Sequence, residues 1–599
     1  MWDAFKRSMV RNPDKLAFGQ RSVVQIVEEK KQVTRTLHTG EIVLEAKLWK
    51  YFELSPYDWM TWGQVQSITR AYASGYRALG LKSGDKVTIY AETSRDWMLQ
   101  MIAVVQQSFV ITTAYPTLGE DGLTYRFGTK EAIFGQPLPM IVKVASAVKT
   151  LKNIVYNGNV DVVELNKLLQ EHKHMKILSL EELQELGEQN LVEPVPPRDS
   201  VILTHLNLVA NLSGNFHHYN KVISSEGADE RYLAFLPMSH ILELSVEMLV
   251  MYLGVPIGYG SPKTLMDAAV RNCKGDLREL RPTLLTGVPA LWNAIRKSVE
   301  EQVASASTVS RALFSAAFSL KHTCLSAGFD SLATPLDVVV FSKVQEQLGG
   351  RLRLALNAGA PVPHSTQEFL NITVARTING YGMTETTAGI CMQAKSLSLT
   401  SGSIGAPCTN AEVKLVDVPD TEYKASNQPN PQGELWVRGP AVMKGYFQQD
   451  ALTKETITAD GWLKSGDICE YNSKDGTFRV IDRTKNLVKL SNGEYIALEK
   501  LEANYKVSKY VQNMMLHADS EKSFAVGIIQ PIRAAVLDDL KAVGKTMAFK
   551  PAEIVGQIWL GHEEWTPQNG LLTAAMKLNR KAILAHFTSQ VNEMYSDLK

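Results

Sequence analysis

The architecture of this chain is indicated first by residues 378–389, INGYGMTETTAG. The stretch follows a strand-like run, places Gly380 and Gly382 on either side of Tyr381, and continues with Thr384 and Glu385. Glycines let a backbone approach a ligand, an aromatic ring stacks on a base, a hydroxyl reaches a phosphate, and a carboxylate binds Mg²⁺. The stretch therefore indicates a nucleotide site, although a polar turn capped by Thr and Glu would contain the same residue types.

Other stretches accompany it in the order that a nucleotide site would need: NAGAPV at 357–362, GWLKSGD at 461–467 and DRTKNLVKLSNGEYIALEKLE at 482–502. In the first, Gly359, Ala360 and Pro361 would form a close-packed wall. In the second and third, Asp467 would bind ribose hydroxyls and Arg483 would assist. Asp467 in the string SGD is also compatible with an ordinary Asx turn.

Composition limits the classes of function. A chain of 599 residues with 45% hydrophobic and 21% charged content can bury a large core and form more than one domain. Because 63 Lys and Arg balance 62 Asp and Glu, no broad basic field indicates nucleic acid as a partner. The five cysteines are odd in number, scattered and without a C-x-x-C pair, which argues against a disulfide framework or a zinc site and indicates a reducing compartment.

The fold class that the pattern predicts is α/β. Up to about Pro407, strand-like runs alternate with helical ones, which predicts a large N-terminal domain of layered α/β sheets. Shorter strands with frequent turns follow and predict a distorted antiparallel subdomain. The compact block after residue 482 predicts a small α+β C-terminal domain. We therefore divide the chain into domains 1–482 and 483–599.

With these motifs the chain resembles the adenylate-forming (AMP-binding) superfamily and, within it, the long-chain fatty acyl-CoA synthetases. The resemblance covers nearly the whole chain and includes YPTLGEDGL (115–123), FLPMSHILE (235–243), GSPKTLMDAAVRNCKGDLRELRPTLLTGVPALW (260–292) and EEWTPQNGLLTAAMKLNRKAI (563–583). It implies that a fatty carboxylate attacks the α-phosphate of ATP, giving acyl-adenylate and pyrophosphate. The thiol of coenzyme A then displaces AMP.

The resemblance also implies roles for individual residues. Tyr381 would stack on adenine beside Gly382, Thr384 would contact the α-phosphate, and Glu385 would bind Mg²⁺. The reaction needs such groups because negative charge accumulates on phosphoryl oxygens and must be met by a metal ion and fixed donors. Lys577 would be the adenylation lysine, which bridges carboxylate and phosphate oxygens when the C-terminal domain closes. The alternative is that Lys577 is a solvated residue before the terminal helix.

Further roles concern the cleft, the hinge and the two remaining substrates. His240 would line the cleft, although a lone His is as often a satisfied core residue. The small C-terminal domain would be mobile and rotate about Lys485, which is otherwise an ordinary surface lysine. Gly493 would line the pantetheine tunnel of coenzyme A, or form only a hairpin turn. The apolar segment 240–260 would contribute to the acyl pocket, because an alkyl chain gains about 0.8 kcal/mol per buried CH₂.

One part of the family pattern is missing within residues 194–214, PVPPRDSVILTHLNLVANLSG. The family has an apolar strand there, followed by a Ser/Thr/Gly-rich loop ending in Pro-Lys-Gly, which wraps the β- and γ-phosphates. That loop is absent after Asp199, and a milder contraction lies between Pro531 and Ile532. Either the protein has lost this phosphate contact or the sequence omits a segment. The second explanation is favoured because a packed sheet tolerates the loss of a core strand poorly.

The predicted function is ATP-dependent activation of a long-chain fatty acid and its transfer to coenzyme A, with Mg²⁺ as cofactor. The alternative is a catalytically impaired or incompletely represented paralogue that binds acyl or nucleotide ligands. A third class, adenylation of an amino or aryl acid without CoA transfer, is disfavoured by the long-chain-type stretches.

Location is the remaining expectation. The first residues lack the apolar run of a signal peptide, and the last residues, MYSDLK, are not the peroxisomal tripeptide. We expect an intracellular protein, in the cytosol or on the cytosolic face of the endoplasmic reticulum or lipid droplets. Any membrane contact would be peripheral, because the apolar stretch 97–115 is interrupted by three glutamines. The oligomeric state is not indicated.

Overall fold

The computed structural model describes part of the chain with gaps. It covers residues 1–596 except for 37–41, 119, 121–122, 124–131, 136–137, 146–150, 159–164, 166–168, 196–202, 220–228, 395–401, 492–493, 509, 532–535, 562, 564, 567–568 and 574–576. The join after Asp199, the contraction that follows Pro531, and Gly493 therefore lie outside the described residues.

The strands are β1 (Leu16–Gln20), β2 (Val23–Thr36), β3 (Ile42–Leu54), β4 (Asp58–Thr61), β5 (Lys86–Tyr90), β6 (Val110–Ala114), β7 (Ala132–Gly135), β8 (Asn153–Tyr156), β9 (Lys176–Ser179), β10 (Tyr232–Ala234), β11 (Ile257–Tyr259), β12 (Leu284–Gly287), β13 (Leu354–Asn357), β14 (Arg376–Met383), β15 (Ala388–Met392), β16 (Ala406–Pro407), β17 (Glu412–Val416), β18 (Gln432–Arg438), β19 (Leu463–Asn472), β20 (Thr477–Arg483), β21 (Leu487–Lys489), β22 (Tyr495–Ala497), β23 (Val511–His517), β24 (Val526–Pro531) and β25 (Gln557–Leu560).

The α-helices are α1 (Trp2–Arg11), α2 (Trp62–Ala78), α3 (Arg95–Gln106), α4 (Leu138–Ala145), α5 (Leu180–Glu188), α6 (His205–Tyr219), α7 (Ile241–Tyr252), α8 (Asp276–Leu280), α9 (Pro289–Ser305), α10 (Thr308–Ser326), α11 (Asp330–Leu336), α12 (Ser342–Gln347), α13 (His364–Thr373), α14 (Asp450–Thr456), α15 (Leu498–Tyr505), α16 (Leu537–Thr546), α17 (Arg580–His586) and α18 (Thr588–Ser596).

The largest sheet has nine strands in the order β16-β15-β14-β13-β12-β10-β11-β1-β4. Its six central strands pair in parallel, and β4, β15 and β16 add antiparallel edges. Strands β12 and β13 are buried along their whole length, as expected when helices cover both faces of a parallel sheet. The motif of residues 378–389 begins in β14, so it lies at the carboxyl edge of this sheet, where α/β proteins commonly bind ligands.

A second, parallel sheet has the order β6-β5-β7-β8-β9. The main apolar core contains side chains from both sheets and from the helices between them. In α3, every residue from Trp97 to Gln106 is buried, including Gln100 and Gln106, so this helix lies within the core on all sides. The prediction of layered α/β sheets is confirmed.

Strands β17 to β20 form an antiparallel sheet, as the shorter strands after Pro407 predict. In its register Asp467 of β19 pairs with Arg483 of β20. A separate hairpin, β2 with β3, was not predicted. Arg271, in the segment between β11 and α8, binds it by an ion pair with Glu29 and by stacking 3.4 Å over the ring of Tyr51.

The smaller C-terminal part contains the β21–β22 hairpin and the sheet β23-β24-β25, with two apolar clusters of its own. Residues 495–502, YIALEKLE, form a strand only in their first part, because β22 ends at Ala497 and α15 begins at Leu498. Leu498, Leu501 and Tyr505 recur at helical spacing and pack into the core on one face. One contact to the large domain is made by Lys297 Nζ of α9, which donates to the carbonyl oxygen of Val511 at 2.6 Å.

Candidate active site

The turn after β14 is unusually tight. A Cβ atom on Gly382 would lie 1.8 Å from the carbonyl oxygen of Ala388, so no side chain fits there. Thr387 and Ala388 both have left-handed backbone angles, with φ of 56° and 79°. Between them and β14, a single 3₁₀ turn exposes Thr384 and leaves Glu385 half-buried at the edge of the sheet.

Tyr381, Asp467 and Arg483, which sequence analysis assigned to one site, lie together. The Tyr381 hydroxyl donates to Asp467 Oδ2 at 2.6 Å, and Arg483 Nε lies 3.3 Å from Asp467 Oδ1. Burial raises the pKa of Asp467, and the bonds from Tyr381 and Arg483 counteract that rise. Burial, with the nearby charge of Asp467, holds the pKa of Tyr381 well above its ordinary range. Tyr381 is therefore a hydrogen-bond donor at neutral pH.

Glu385 is held by its side chain and by its backbone. The Tyr446 hydroxyl donates to Glu385 Oε1 at 2.8 Å, and the amide N–H of Met443 donates to the carbonyl oxygen of Glu385 at 2.8 Å. Burial, together with the bond to Glu385, raises the pKa of Tyr446 to about 12.

The donor set at Glu385 fits Mg²⁺. The Oε2 atom of Glu385 is not part of the bond from Tyr446, and Mg²⁺ is commonly held by one carboxylate together with substrate phosphates and waters. Within the described residues, no three His, Cys, Asp or Glu side chains cluster as a metal centre made by protein alone.

Lys577, in the C-terminal part of the chain, interacts electrostatically with residues of the same site. The Lys577 side chain is in contact with solvent. The protein that surrounds its ammonium nevertheless removes part of the ammonium's hydration, which lowers the pKa of Lys577. The charge of Arg483 lowers this pKa further, whereas Asp467 and Glu385 raise it. The lysine therefore lies within electrostatic reach of the residues that sequence analysis grouped with it.

His240 begins α7 and faces the same cleft. Its Nδ1 accepts from the amide N–H of Leu242 at 3.2 Å, which assigns the ring hydrogen to Nε2. Burial, and then the charge of Lys577, lower the pKa of His240 to about 4. The imidazole is therefore neutral at physiological pH.

A pocket of about 570 Å³, open to solvent, connects the turn with α7. Leu242, Val246 and Leu249 give it an apolar wall on one side, and the turn with Tyr381 gives the other. The first half of the apolar segment 240–260 thus lines a cavity next to residues 380–383. Gly359 lines it as well, whereas Ala360 and Pro361 follow on the exposed surface.

Sequence analysis missed the asparagine row, which we define as Asn207, Asn211 and Asn215 of α6. All three are buried. Asn207 Nδ2 donates to two carbonyl oxygens of the segment 440–442, Asn211 Nδ2 donates to the carbonyl oxygen of Gly389, and Asn215 donates to Asn211 and lines the pocket. The signal was the spacing of four residues, which places the three amides on one helix face.

The remaining assigned positions are not brought into the site by the described residues. Lys485 is exposed in the 3₁₀ turn Thr484–Asn486, which follows Arg483 directly. The role of Lys485 as a hinge stays a prediction. Gly493 and the join after Asp199 lie outside the described residues.

A turn at the end of a parallel sheet, with a lysine of the C-terminal part in electrostatic reach, is the arrangement expected of the class of enzymes that activate carboxylic acids as adenylates. The chain matches the family model described as AMP-binding enzyme over residues 38–196 and 200–447, and it belongs to that family. The match is interrupted at 197–199, next to the join after Asp199 where the sequence pattern predicts that the family's phosphate loop is missing.

Relatives resemble the chain from end to end. It is 34% identical to long-chain-fatty-acid–CoA ligase 1 of Schizosaccharomyces pombe, over 100% of this chain and 94% of the ligase. That alignment has 650 positions, 51 more than the 599 residues of the chain, so the ligase has residues that this chain lacks. Long-chain-fatty-acid–CoA ligase 3 of Saccharomyces cerevisiae is also 34% identical, over 96% of this chain and 91% of the ligase.

Solved structures share the fold. The adenylation domain of a carboxylate reductase from Mycobacterium chelonae matches 99% of this chain and 90% of its own, with a TM-score of 0.77 and 21% identity. The corresponding domain from Segniliparus rugosus, in complex with AMP and a carboxylic acid, matches 100% of this chain and 94% of its own, with a TM-score of 0.77 and 20% identity. No helix among the described residues is long and apolar enough to span a bilayer.

Proposed function

We propose that the protein is an AMP-forming long-chain fatty acid–CoA ligase, which converts fatty acid, ATP and coenzyme A into acyl-CoA, AMP and pyrophosphate. The observation that carries this proposal is the end-to-end similarity to long-chain-fatty-acid–CoA ligases at 34% identity. The comparisons give no support to the alternative of a binding protein without activity.

In the first half-reaction the residues of the turn would hold the nucleotide. The ring of Tyr381 stacks on adenine while its hydroxyl fixes the carboxylate of Asp467, which accepts from the ribose hydroxyls. The absence of a side chain on Gly382 lets the backbone approach the nucleotide, and Thr384 donates to the α-phosphate. Lys577 places its ammonium between the fatty carboxylate and the α-phosphate, where charge develops as pyrophosphate leaves.

Glu385 would hold Mg²⁺. When bound there, the ion would neutralise part of the phosphate charge and support the departure of pyrophosphate. The neutral His240 would donate from Nε2 near the substrate carboxylate without bringing a second charge into the cleft. The apolar wall of α7 would take up the alkyl chain next to it.

In the second half-reaction, the C-terminal domain would rotate about Lys485 and the segment around Gly493 would guide coenzyme A. The sulfur of its thiol attacks the acyl carbonyl carbon, the bond to the phosphate oxygen breaks, AMP leaves, and the thiol proton passes to solvent. The expected place of this reaction, in the cytosol or on the cytosolic face of the endoplasmic reticulum or lipid droplets, stays a prediction.

The test uses purified chain with oleate, ATP, Mg²⁺ and coenzyme A, and measures oleoyl-CoA and AMP. Because the phosphate loop is missing after Asp199, a second version carries a strand and a Ser/Thr/Gly-rich loop ending in Pro-Lys-Gly at that point. Oleoyl-CoA formed in equal amount with AMP supports the proposal. If neither version forms oleoyl-CoA while either one adenylates an amino or aryl acid, the proposal is wrong.

A further inference from the structure

The backbone around Glu385 is fixed by a second segment of the chain. Besides the bond from the Met443 amide to the carbonyl of Glu385, Thr387 Oγ1 donates to the carbonyl oxygen of Ala441 at 2.7 Å. The two bonds join the strained turn to the residues just before Tyr446. Because Thr387 and Met443, the two donors, are buried, both bonds are shielded from competition by water.

The other side of this segment is held by the asparagine row. Asn207 Nδ2 donates to the carbonyl oxygens of Pro440 and Val442 at 2.7 and 2.9 Å. Asn207 is itself fixed at the start of α6. Its Oδ1 accepts from the backbone N–H of Thr204 at 2.7 Å, and its own backbone N–H donates to Thr204 Oγ1 at 3.2 Å. The segment that ends in Tyr446 is thus held between α6 and the turn.

Tyr446 has little freedom at its own backbone. Its amide N–H donates to Thr453 Oγ1 of α14 at 2.9 Å. The preceding residue, Gly445, has a φ of 151°, and a Cβ there would lie 2.6 Å from Thr453 Cγ2. The tyrosine therefore extends from a fixed backbone, and its hydroxyl meets Glu385 Oε1 at 2.8 Å.

We propose that Tyr446 is a positioning residue, which holds the carboxylate of Glu385 so that Oε2 is presented to the Mg²⁺ of bound MgATP. The inference rests on the proposed function and adds to it a residue that does not contact substrate. A carboxylate held at one oxygen has already lost the rotation that metal binding would otherwise have to restrict. Partners of this kind are typically worth about 10- to 100-fold in metal affinity.

The test is Tyr446→Phe, which removes the hydroxyl and keeps the ring. Calorimetric titration with ATP at increasing Mg²⁺ measures how much metal is needed to strengthen nucleotide binding, without relying on turnover. We expect the variant to need at least about ten times as much Mg²⁺ as the parent chain to strengthen ATP binding. Without the metal, the two proteins should bind ATP equally well. The matched control is Tyr76→Phe, because the Tyr76 hydroxyl bonds Gln100 in the core at 2.7 Å. Its Mg²⁺ requirement should equal that of the parent chain.

Combination with Glu385→Gln separates positioning from general support of the fold. Once the carboxylate is gone, Tyr446→Phe should add no further change in the Mg²⁺ requirement. A Tyr446→Phe protein with a lower Tm and an unchanged Mg²⁺ requirement would overturn the proposal. Nucleotide binding by the parent chain that does not depend on Mg²⁺ would overturn it too. If the shift is observed but no acyl-CoA forms, the ligase function fails and the positioning role stands.

Discussion

Two carboxyl groups lie in the main core on the inner face of α7. Glu243 and Glu247 are fully buried, and they accept from the hydroxyls of Tyr232 at 3.0 Å and Tyr259 at 2.8 Å. Burial raises the pKa of Glu247 to about 8, while burial and the charge of Glu247 hold the pKa of Glu243 well above its ordinary range. Within the described part of the chain, no cation offsets either shift. Both groups are therefore protonated in the folded protein at neutral pH.

The perturbation that tests this is Glu247→Gln. In the unfolded chain the carboxyl has its ordinary pKa of 4.5, so at pH 7 folding must protonate it again. Each unit by which the pH exceeds the pKa of the unfolded state costs about 1.36 kcal/mol. The step from that pKa of 4.5 to pH 7 therefore amounts to about 3 kcal/mol. Glutamine needs no proton and keeps a carbonyl oxygen for the hydroxyl of Tyr259. We expect the variant to be more stable than the parent chain by up to about 3 kcal/mol at pH 7.

The sign of the pH dependence follows from the raised pKa. Between pH 4.5 and 8 the folded state binds one more proton than the unfolded state, so the parent chain loses stability as pH rises through this window. The variant lacks that contribution. The free energy of unfolding of the variant should exceed that of the parent chain by almost nothing at pH 4.5. This difference should grow up to pH 8 and then level off. Urea denaturation followed by tryptophan fluorescence across this range measures it.

The control is the same substitution at another buried glutamate, Glu502→Gln. Glu502 forms two bonds with Arg580, at 2.8 and 2.6 Å, so its removal leaves a cation without its partner. This variant should be less stable than the parent chain by about 2 kcal/mol. The loss is smaller than that expected on breaking a fully buried ion pair, because Arg580 keeps some contact with water. A Glu247→Gln protein that is no more stable than the parent at pH 8 would refute the reasoning.

Further outcomes concern catalysis. Lys577→Ala should reduce ATP–pyrophosphate exchange with oleate by at least about 100-fold and reduce thioester formation from supplied oleoyl-adenylate far less, because only the first step develops charge at the α-phosphate; equal losses would contradict this. Gly382→Ala should abolish nucleotide binding, since its Cβ would collide with the carbonyl of Ala388, and unaltered ATP titration would count against it. Insertion of the phosphate loop after Asp199 should raise exchange by at least about 100-fold, whereas comparable exchange in both versions would show that other residues hold the phosphates.

The residues that sequence reasoning grouped and that lie together in the structure share one property. Tyr381 and Glu385 are in one short motif at the end of a parallel strand, and Asp467 with Arg483 comes from two adjacent strands whose register pairs them. Residues within one short motif, or on two adjacent strands of a sheet, lie close together as soon as that motif or sheet forms. Their proximity could therefore be predicted from the sequence. The approach of Lys577 required the resemblance to a family, because composition and periodicity carry no information about how two domains close.

The residues that were missed depend on contacts between distant parts of the chain. The bond from Tyr446 to Glu385 links residues 61 positions apart, and Asn207 meets a segment more than 230 positions away. Tyr446 carries no sequence signal that distinguishes it from a surface residue of a loop. The four-residue spacing of the asparagine row indicates a shared helix face but not the segment that this face contacts. The core pair Glu243 and Glu247 resembles solvated helix residues in sequence, because only the tyrosines of β10 and β11 show that this face is buried.

The missing loop and the retained contacts can be reconciled through α6. This helix begins just beyond the interruption of the family match, and its first turn is ordered by the bonds between Thr204 and Asn207. Asn207 then holds the segment that fixes Glu385, while Asn211 holds β15. Whatever is absent before residue 203 therefore leaves in place the support of Glu385 and the pocket along α7. The loss should fall on the β- and γ-phosphates, which matter only while pyrophosphate is leaving, and the thioester step, which no longer involves them, should be the half-reaction that survives.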